Sequence, residues 1–249
     1  MKKILSILSI ILTFSVISSC VSKLPSYSIT SILPRDSFVK VEVNVKIIKC
    51  LEAEAQETDS DEHCITNEML GHGSGAILES RKKGSYILTA GHVCEEKELE
   101  EFATENDLDY SMRLEIVNLN GEKYDAKIVK IDRDIDTCIL FSPDLEGPEI
   151  KLRRHSKPEP GEKVYNIAAP AAIFEKNMVP ILEGRYSGDL PEGGYSVYTI
   201  PAVGGSSGSP IINKKGELVG MIHSVHIRFP HVTFSPTTKA LYDFIWSVL

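Results

Sequence analysis

The sequence predicts an all-β protein of two six-stranded barrels finished by one C-terminal α-helix, and three observations lead there. Short apolar or alternating runs recur along the chain between turn residues, the pattern of half-buried strands. They fall into two sets of six on either side of a proline-rich stretch. A clear apolar stripe at helical spacing occurs only at the end.

The first set comprises Phe38 to Lys49, Gly75 to Leu78, Tyr86 to Thr89, Arg113 to Val117, Lys127 to Ile131 and Thr137 to Phe141. The second comprises Lys163 to Ala168, Val179 to Ser187, Ser196 to Ile200, Pro210 to Ile212, Leu218 to Val225 and Val232 to Phe234. Between them, Ser142 to Gly161 carries Pro143, Pro148, Pro158 and Pro160, which suits a connection between barrels. At the end, Ser235 as N-cap and Pro236 at the first helical position introduce Leu241, Phe244, Ile245, Val248 and Leu249. No internal repeat appears, and 249 residues can bury one sizeable core or two small barrels sharing one.

The first 19 residues stand apart. Lys2 and Lys3 precede an uncharged apolar run from Ile4 to Ile17, shorter than the roughly 18 to 20 residues that span a bilayer. It reads as a secretory signal ending in Ile17-Ser18-Ser19-Cys20, which resembles the bacterial lipobox. That resemblance implies lipidation of Cys20 and a membrane-anchored, extracytoplasmic protein, with residues 20–36 as tether and 37–249 as the folded domain. The first barrel is expected over about 37–142 and the second, with the helix, over about 162–249.

Without that signal the chain has 25 basic and 35 acidic residues, a formal charge of -10, which disfavours a nucleic-acid partner. The acids concentrate between Glu95 and Asp109 as a solvated loop or short helix, or as a rim that favours basic substrates. Export permits disulfides. Cys50 and Cys64 bracket a hydrophilic loop from Leu51 to His63 and are expected to pair. The partners of Cys94 and Cys138 stay open, and Cys138 also suits a small core position.

Chemistry concentrates in Gly204-Gly205-Ser206-Ser207-Gly208-Ser209-Pro210, a hydroxyl among glycines whose amides can surround a developing oxyanion. Upstream, Thr89-Ala90-Gly91-His92 ends one apolar run with a histidine, and Asp136-Thr137-Cys138-Ile139-Leu140 opens another with an acid. Asp132 and Asp134 compete with Asp136 as the acid, and Ser206 and Ser209 with Ser207 as the hydroxyl. The alternating acids resemble the start of a calcium loop, but Thr137 stands where its glycine is needed. His63, Cys64 and His72 lack metal-ligand spacing, and neither a metal nor an organic cofactor is expected.

The order His, Asp, Ser in these contexts resembles the chymotrypsin-like, trypsin-fold serine peptidases. Gly73-Ser74-Gly75-Ala76-Ile77 and Gly216-Glu217-Leu218-Val219-Gly220 extend the match, as do Pro230 to Phe234 and the terminal helix. The resemblance implies two Greek-key barrels and a serine endopeptidase acting on proteins or peptides. His92 would be the general base, Asp136 its orienting acid and Ser207 the nucleophile, with the Gly205 and Ser207 amides as the oxyanion hole.

In many relatives a disulfide cysteine directly follows the histidine, whereas Cys94 lies two residues past His92. Relatives of the HtrA type carry a C-terminal peptide-binding domain for which this sequence has no residues left, so their trimer-based control is not expected. Oligomeric state stays open.

Substrate contacts are expected from Pro201, Ile222, His223, Ser224 and Val225. Pro201 occupies the pocket-base position, six before Ser207, where enzymes cutting after Arg or Lys carry aspartate, so a small or apolar residue before the scissile bond is expected. His223 falls where relatives carry a Ser or Thr bonded to the catalytic aspartate, with Ile222 toward the pocket. A bulge would instead turn His223 into a glutamate-binding residue. Two other readings stay open, a peptide-binding pseudo-peptidase and a lipoprotein scaffold that docks partners through its acidic loops.

Overall fold

A computed structural model describes residues 33–51, 63–95, 97–153 and 157–249. The signal segment, Cys20, most of the tether and the interior of the loop between Cys50 and Cys64 lie outside the described residues. No helix among the described residues is long and apolar enough to cross a membrane.

Strands β1 (Phe38–Leu51), β2 (His63–Arg81), β3 (Gly84–Ala90), β4 (Asp109–Asn118), β5 (Lys123–Asp132) and β6 (Thr137–Ser142) close into an antiparallel barrel in the order β1-β2-β3-β6-β5-β4. Phe38, Val39, Val41, Ile87, Leu88, Ile116, Ile139 and Leu140 are fully buried, and the adjacent pairs Ile87-Leu88 and Ile139-Leu140 show that β3 and β6 are covered on both faces. β2 starts 12 residues before the predicted strand, because it continues as an arm paired with β1, which in turn pairs with β4, and Cys64 to Leu70 are exposed there. Cys50 and Cys64 are disulfide-bonded at register partners near the tip of this arm.

Cys94 and Cys138 form a second disulfide, buried, between the 3-10 turn Gly91–Val93 after β3 and strand β6. Cys138 is thus a cross-link as well as a buried core residue. The acidic run folds as helix α1 (Lys97–Glu105), with Ala103 buried beneath it.

The second half is an eight-stranded sheet in the order β13-β14-β10-β9-β8-β11-β12-β7. Its strands are β7 (Lys151–Leu152), β8 (Lys163–Ile167), β9 (Ile181–Asp189), β10 (Tyr195–Tyr198), β11 (Pro210–Asn213), β12 (Glu217–Met221), β13 (Ser224–Val225) and β14 (Thr233–Pro236). The two strands beyond the expected six have local causes. β7 is a two-residue parallel addition beside β12, and the predicted Leu218–Val225 strand breaks at Ile222-His223 into β12 and β13. The sheet curls back on itself, since Met221 N–H donates to Ser235 Oγ on β14.

That bond also corrects the helix boundary. Ser235 and Pro236 belong to β14, and the helix α2 (Thr238–Trp246) is capped by Thr237, whose side chain accepts from Ala240 N–H. Leu241, Phe244 and Ile245 of α2 join the core that includes Ile139 and Leu140 of the first barrel and Ile212 and Leu218 of the second sheet. One continuous core therefore holds both halves against the helix.

Candidate active site

His92 sits on the 3-10 turn that ends β3, and Asp136 in the turn between β5 and β6, strands that both pair with β6 or belong to it. Asp136 takes a left-handed backbone conformation, φ 48°, that only the tight turn explains. The Asp136 carbonyl accepts from Gly91 N–H at 2.9 Å. Its carboxylate accepts the His92 backbone N–H through Oδ1 and the ring nitrogen Nδ1 through Oδ2, each at 2.8 Å. A Cβ on Gly91 would lie 2.8 Å from Asp136 Oδ1, so this contact requires glycine. The Cys94–Cys138 disulfide ties the same two segments together two residues beyond each functional side chain.

Asp132 is spent differently, its Oδ1 receiving the amides of Asp134 and Ile135 and capping the turn. Burial opposes ionisation of Asp136, but contacts from His223 and His92 outweigh it and hold the carboxyl well below the usual carboxylate range. The bond to Asp136 raises His92 above the ordinary histidine value, against the effect of its own partial burial.

Among the three serines of the loop, Ser206 and Ser209 are buried and Ser207 is partly exposed, lining the same cleft as His92. Ser209 Oγ donates to the Ser206 carbonyl at 2.6 Å and receives Asn166 Nδ2 at 2.8 Å. Gly205 and Gly208 have φ of 91° and 85°. A Cβ on Gly208 would fall 2.2 Å from the Ser74 carbonyl, so only glycine fits beneath the serine.

The loop carbonyls are held from behind. Ala171 N–H donates to Gly204 O at 2.7 Å, and Ser209 N–H to Ser206 O at 3.0 Å. In a trans peptide the next N–H points opposite to its carbonyl, so the Gly205 and Ser207 amides are turned away from these donors. Neither amide has an acceptor among the described residues. Two such free, fixed donors are what an oxyanion requires.

Ser74 completes the support from the first barrel. Its N–H donates to the Ser207 carbonyl and its Oγ to the Gly205 carbonyl, both at 2.8 Å, while the Oγ accepts from Ala169 N–H at 3.0 Å. Thr89 Oγ1 in turn donates to the Ser74 carbonyl. The quoted glycine-rich and histidine motifs contained both residues, and their role as struts emerges only when the barrels meet. Ala171, at φ 51°, carries no sequence signal at all. The sequence offers His72 only as a metal ligand without ligand spacing. Its ring lies against Gly205 with Nε2 buried and without a partner among the described residues, and burial lowers its pKa.

The break between β12 and β13 sets the remaining residues. Ile222 N–H donates to Ser209 O and Ile222 O accepts from Gly208 N–H, which pins the strand to the serine loop. The Ile222 side chain, 2 % exposed, packs into the second core with Tyr198, Ile200 and Val219 and is not presented to the cleft. His223 points the other way, its Nδ1 3.5 Å from Asp136 Oδ2 and its ring stacked on Tyr195. Asp136 therefore serves two imidazoles. Pro201 and Val225 are partly exposed, and Ser224 is exposed.

A family model described as a trypsin-like peptidase domain matches residues 73–221. A probable periplasmic serine endoprotease DegP-like of Buchnera aphidicola is 27% identical over 164 residues, 64% of this chain and 32% of that protein. A namesake from Pseudomonas putida is 30% identical over 159 residues, 63% of this chain and 30% of its own, and human serine protease HTRA3 is 27% identical over 162 residues, 62% and 33%. The chain thus spans about a third of the length of the curated relatives it matches. Among solved structures, the serine endoprotease from Yersinia pestis superposes with a TM-score of 0.63 at 19% identity, covering 89% of this chain and 66% of that one, which supports the fold. With the match running from the Gly73-Ser74-Gly75 strut through His92, Asp136 and Ser207 to the end of β12, the chain belongs to the trypsin-like peptidase domain family.

Proposed function

We propose that the chain is a serine endopeptidase that hydrolyses peptide bonds through an acyl-enzyme, with His92, Asp136 and Ser207 as its triad. The observation that carries this reading is the doubly bonded His92–Asp136 pair sharing a cleft with Ser207, the one serine of its loop that is not buried, whose loop leaves the Gly205 and Ser207 amides free. Ser207 Oγ attacks the substrate carbonyl carbon while His92 Nε2 takes its proton. The carbonyl oxygen becomes an oxyanion held by the Gly205 and Ser207 amides. His92 then passes the proton to the departing amine, the C–N bond breaks, and water attacks the Ser207 ester by the same path reversed. Asp136 stays ionised and stabilises the imidazolium.

The substrate is a protein or peptide whose acyl side pairs with Ser224–Val225. Pro201 at the expected pocket base disfavours a basic residue before the scissile bond. The lipobox-like segment at Cys20 and the periplasmic relatives support an extracytoplasmic, membrane-tethered location.

The test is fluorophosphonate labelling of a Val21-onward protein beside Ser207→Ala and His92→Ala, with the modified peptide identified by mass spectrometry. Labelling at Ser207 that both substitutions abolish is expected. A folded wild type that takes no label but binds peptide would replace this reading with a pseudo-peptidase.

A further inference from the structure

The arm of the first barrel has two faces. Register pairs Val43, Val45 and Ile47 of β1 with Gly71, Met69 and Asn67 of β2 and with Leu114, Met112 and Tyr110 of β4, which puts the apolar side chains on one side. The residues between them, Asn44, Lys46, Glu68, Arg113 and Glu115, give the opposite side its polar character. Helix α1 lies along the apolar side without covering it. Val43, Val45, Ile47 and Met69 form the floor of a 540 Å³ trough, and Leu99 and Phe102 of α1 form its wall. Met69 is 52% and Phe102 49% exposed, although a soluble surface has no use for such side chains clustered in a concavity.

The trough does not end blindly. At one end it is lined by His72, His92 and Ser207. Ser207 is the only residue of the second half on its lining, whereas the strand that would hold the acyl side, β13, belongs to that second half. A peptide paired with β13 and crossing Ser207 must leave over the first barrel. His92, which hands its proton to the departing amine, borders the trough on that side.

We propose that this trough is the binding site for the leaving-group side of the polypeptide substrate and that it selects apolar side chains in the residues following the scissile bond. The proposal rests on the peptidase reading and deepens it. Glu100, Glu101 and Glu105 of α1 are not on the lining, and Glu95, which lines the trough, is paired with Arg133 at 2.9 Å. An acidic residue after the scissile bond would therefore lie over an apolar floor with no Lys or Arg on the described lining.

The experiment compares two substrate types with the same acyl side. An internally quenched peptide extends past the scissile bond with either Leu-Leu or Asp-Ser, and a coumarin amide ends at it and cannot reach the trough. Fluorophosphonate labelling of Ser207 is run on every sample. For the wild type, kcat/KM for the Leu-Leu peptide is expected to exceed that for Asp-Ser by at least about tenfold, the discrimination one buried apolar side chain supplies.

Met69→Glu, and separately Phe102→Ser, should each lower the Leu-Leu preference, read as the ratio of kcat/KM for the Leu-Leu peptide to that for Asp-Ser, toward unity, while cleavage of the coumarin amide is unchanged. Equal wild-type cleavage of the two peptides overturns the proposal, as does a preference that survives both substitutions in protein that still takes the label. If either substitution instead turns a dimer into a monomer with selectivity unchanged, the face belongs to a second copy and the proposal falls. Failure of wild-type labelling would sink the peptidase reading itself, a distinct outcome.

Discussion

Ser74→Ala tests the idea that the first barrel holds the nucleophile loop in shape. The Ser74 side chain is wholly buried and its hydroxyl serves two buried backbone groups, donating to Gly205 O at 2.8 Å and accepting from Ala169 N–H at 3.0 Å. Alanine occupies almost the same volume, so packing changes little. What it removes is the partner of both groups. An orphaned buried polar group costs about 1–3 kcal/mol, so the two together should cost about 4 kcal/mol. For a domain of this size that lowers the melting temperature by roughly 8–16 °C.

The Gly205 amide is itself one of the proposed oxyanion donors, and the carbonyl that Ser74 holds belongs to the same residue. Loosening its carbonyl should also slow fluorophosphonate labelling at Ser207 at least about tenfold, a part of the 100- to 1,000-fold lost with a whole donor. Urea denaturation followed by circular dichroism gives the stability, and labelling kinetics give the second quantity. A stability loss under about 1 kcal/mol with an unchanged labelling rate would refute the strut argument.

The same geometry fixes the outcome of other substitutions. Ala171→Gly keeps the N–H that fixes Gly204 O while relieving a left-handed alanine, so it should raise stability by about 1 kcal/mol with activity retained. Ala171→Pro removes that N–H and should cost most of the activity, both read by thermal melts and peptide hydrolysis. Replacing Cys94 and Cys138 together by alanine opens a 44-residue separation and should destabilise by roughly 4 kcal/mol in the chain-entropy account, measured by urea denaturation.

Asp136→Asn should lower kcat about 10,000-fold at neutral pH. In the wild type the acid limb of kcat/KM should lie above pH 6.5, because the base becomes free only as pH rises through the raised His92 pKa. The stabilising effect of the His92–Asp136 bond runs the opposite way. It is full below pH 6.5 and fades as pH climbs through the folded value, so the melting difference from His92→Ala should shrink toward alkaline pH. His223→Ser takes one of two imidazoles from Asp136, whose lowered pKa contributes stability above about pH 3.8 that is lost on acidification. Acid unfolding should therefore move to higher pH, as followed by circular dichroism.

Much of the fold was legible because strand alternation and turn residues are local. The six strands of the first barrel, the proline-rich connection and the apolar stripe of α2 each show in a few neighbouring residues. The misjudged boundaries have equally physical causes. β2 extends through exposed residues in which Ile65, Met69 and Leu70 fall among polar neighbours without strand alternation, β12 and β13 part where the chain changes partners, and Ser235, a good cap by residue type, is claimed by Met221 across the sheet.

The sequence by itself determined which chemistry the chain can attempt. A histidine, an acid and a serine in that order, with glycines where side chains would collide, are read one segment at a time. Only the tertiary structure decided how the segments serve one another. Ser74 braces two carbonyls some 130 residues away, Ala171 aims an amide it never touches, Cys94 reaches Cys138, and His223 turns to Asp136 rather than to the pocket. Each is a contact between residues far apart in the chain. Residue type limits such contacts without choosing among them, and the choice is made when two separately twisted sheets bury one core between them.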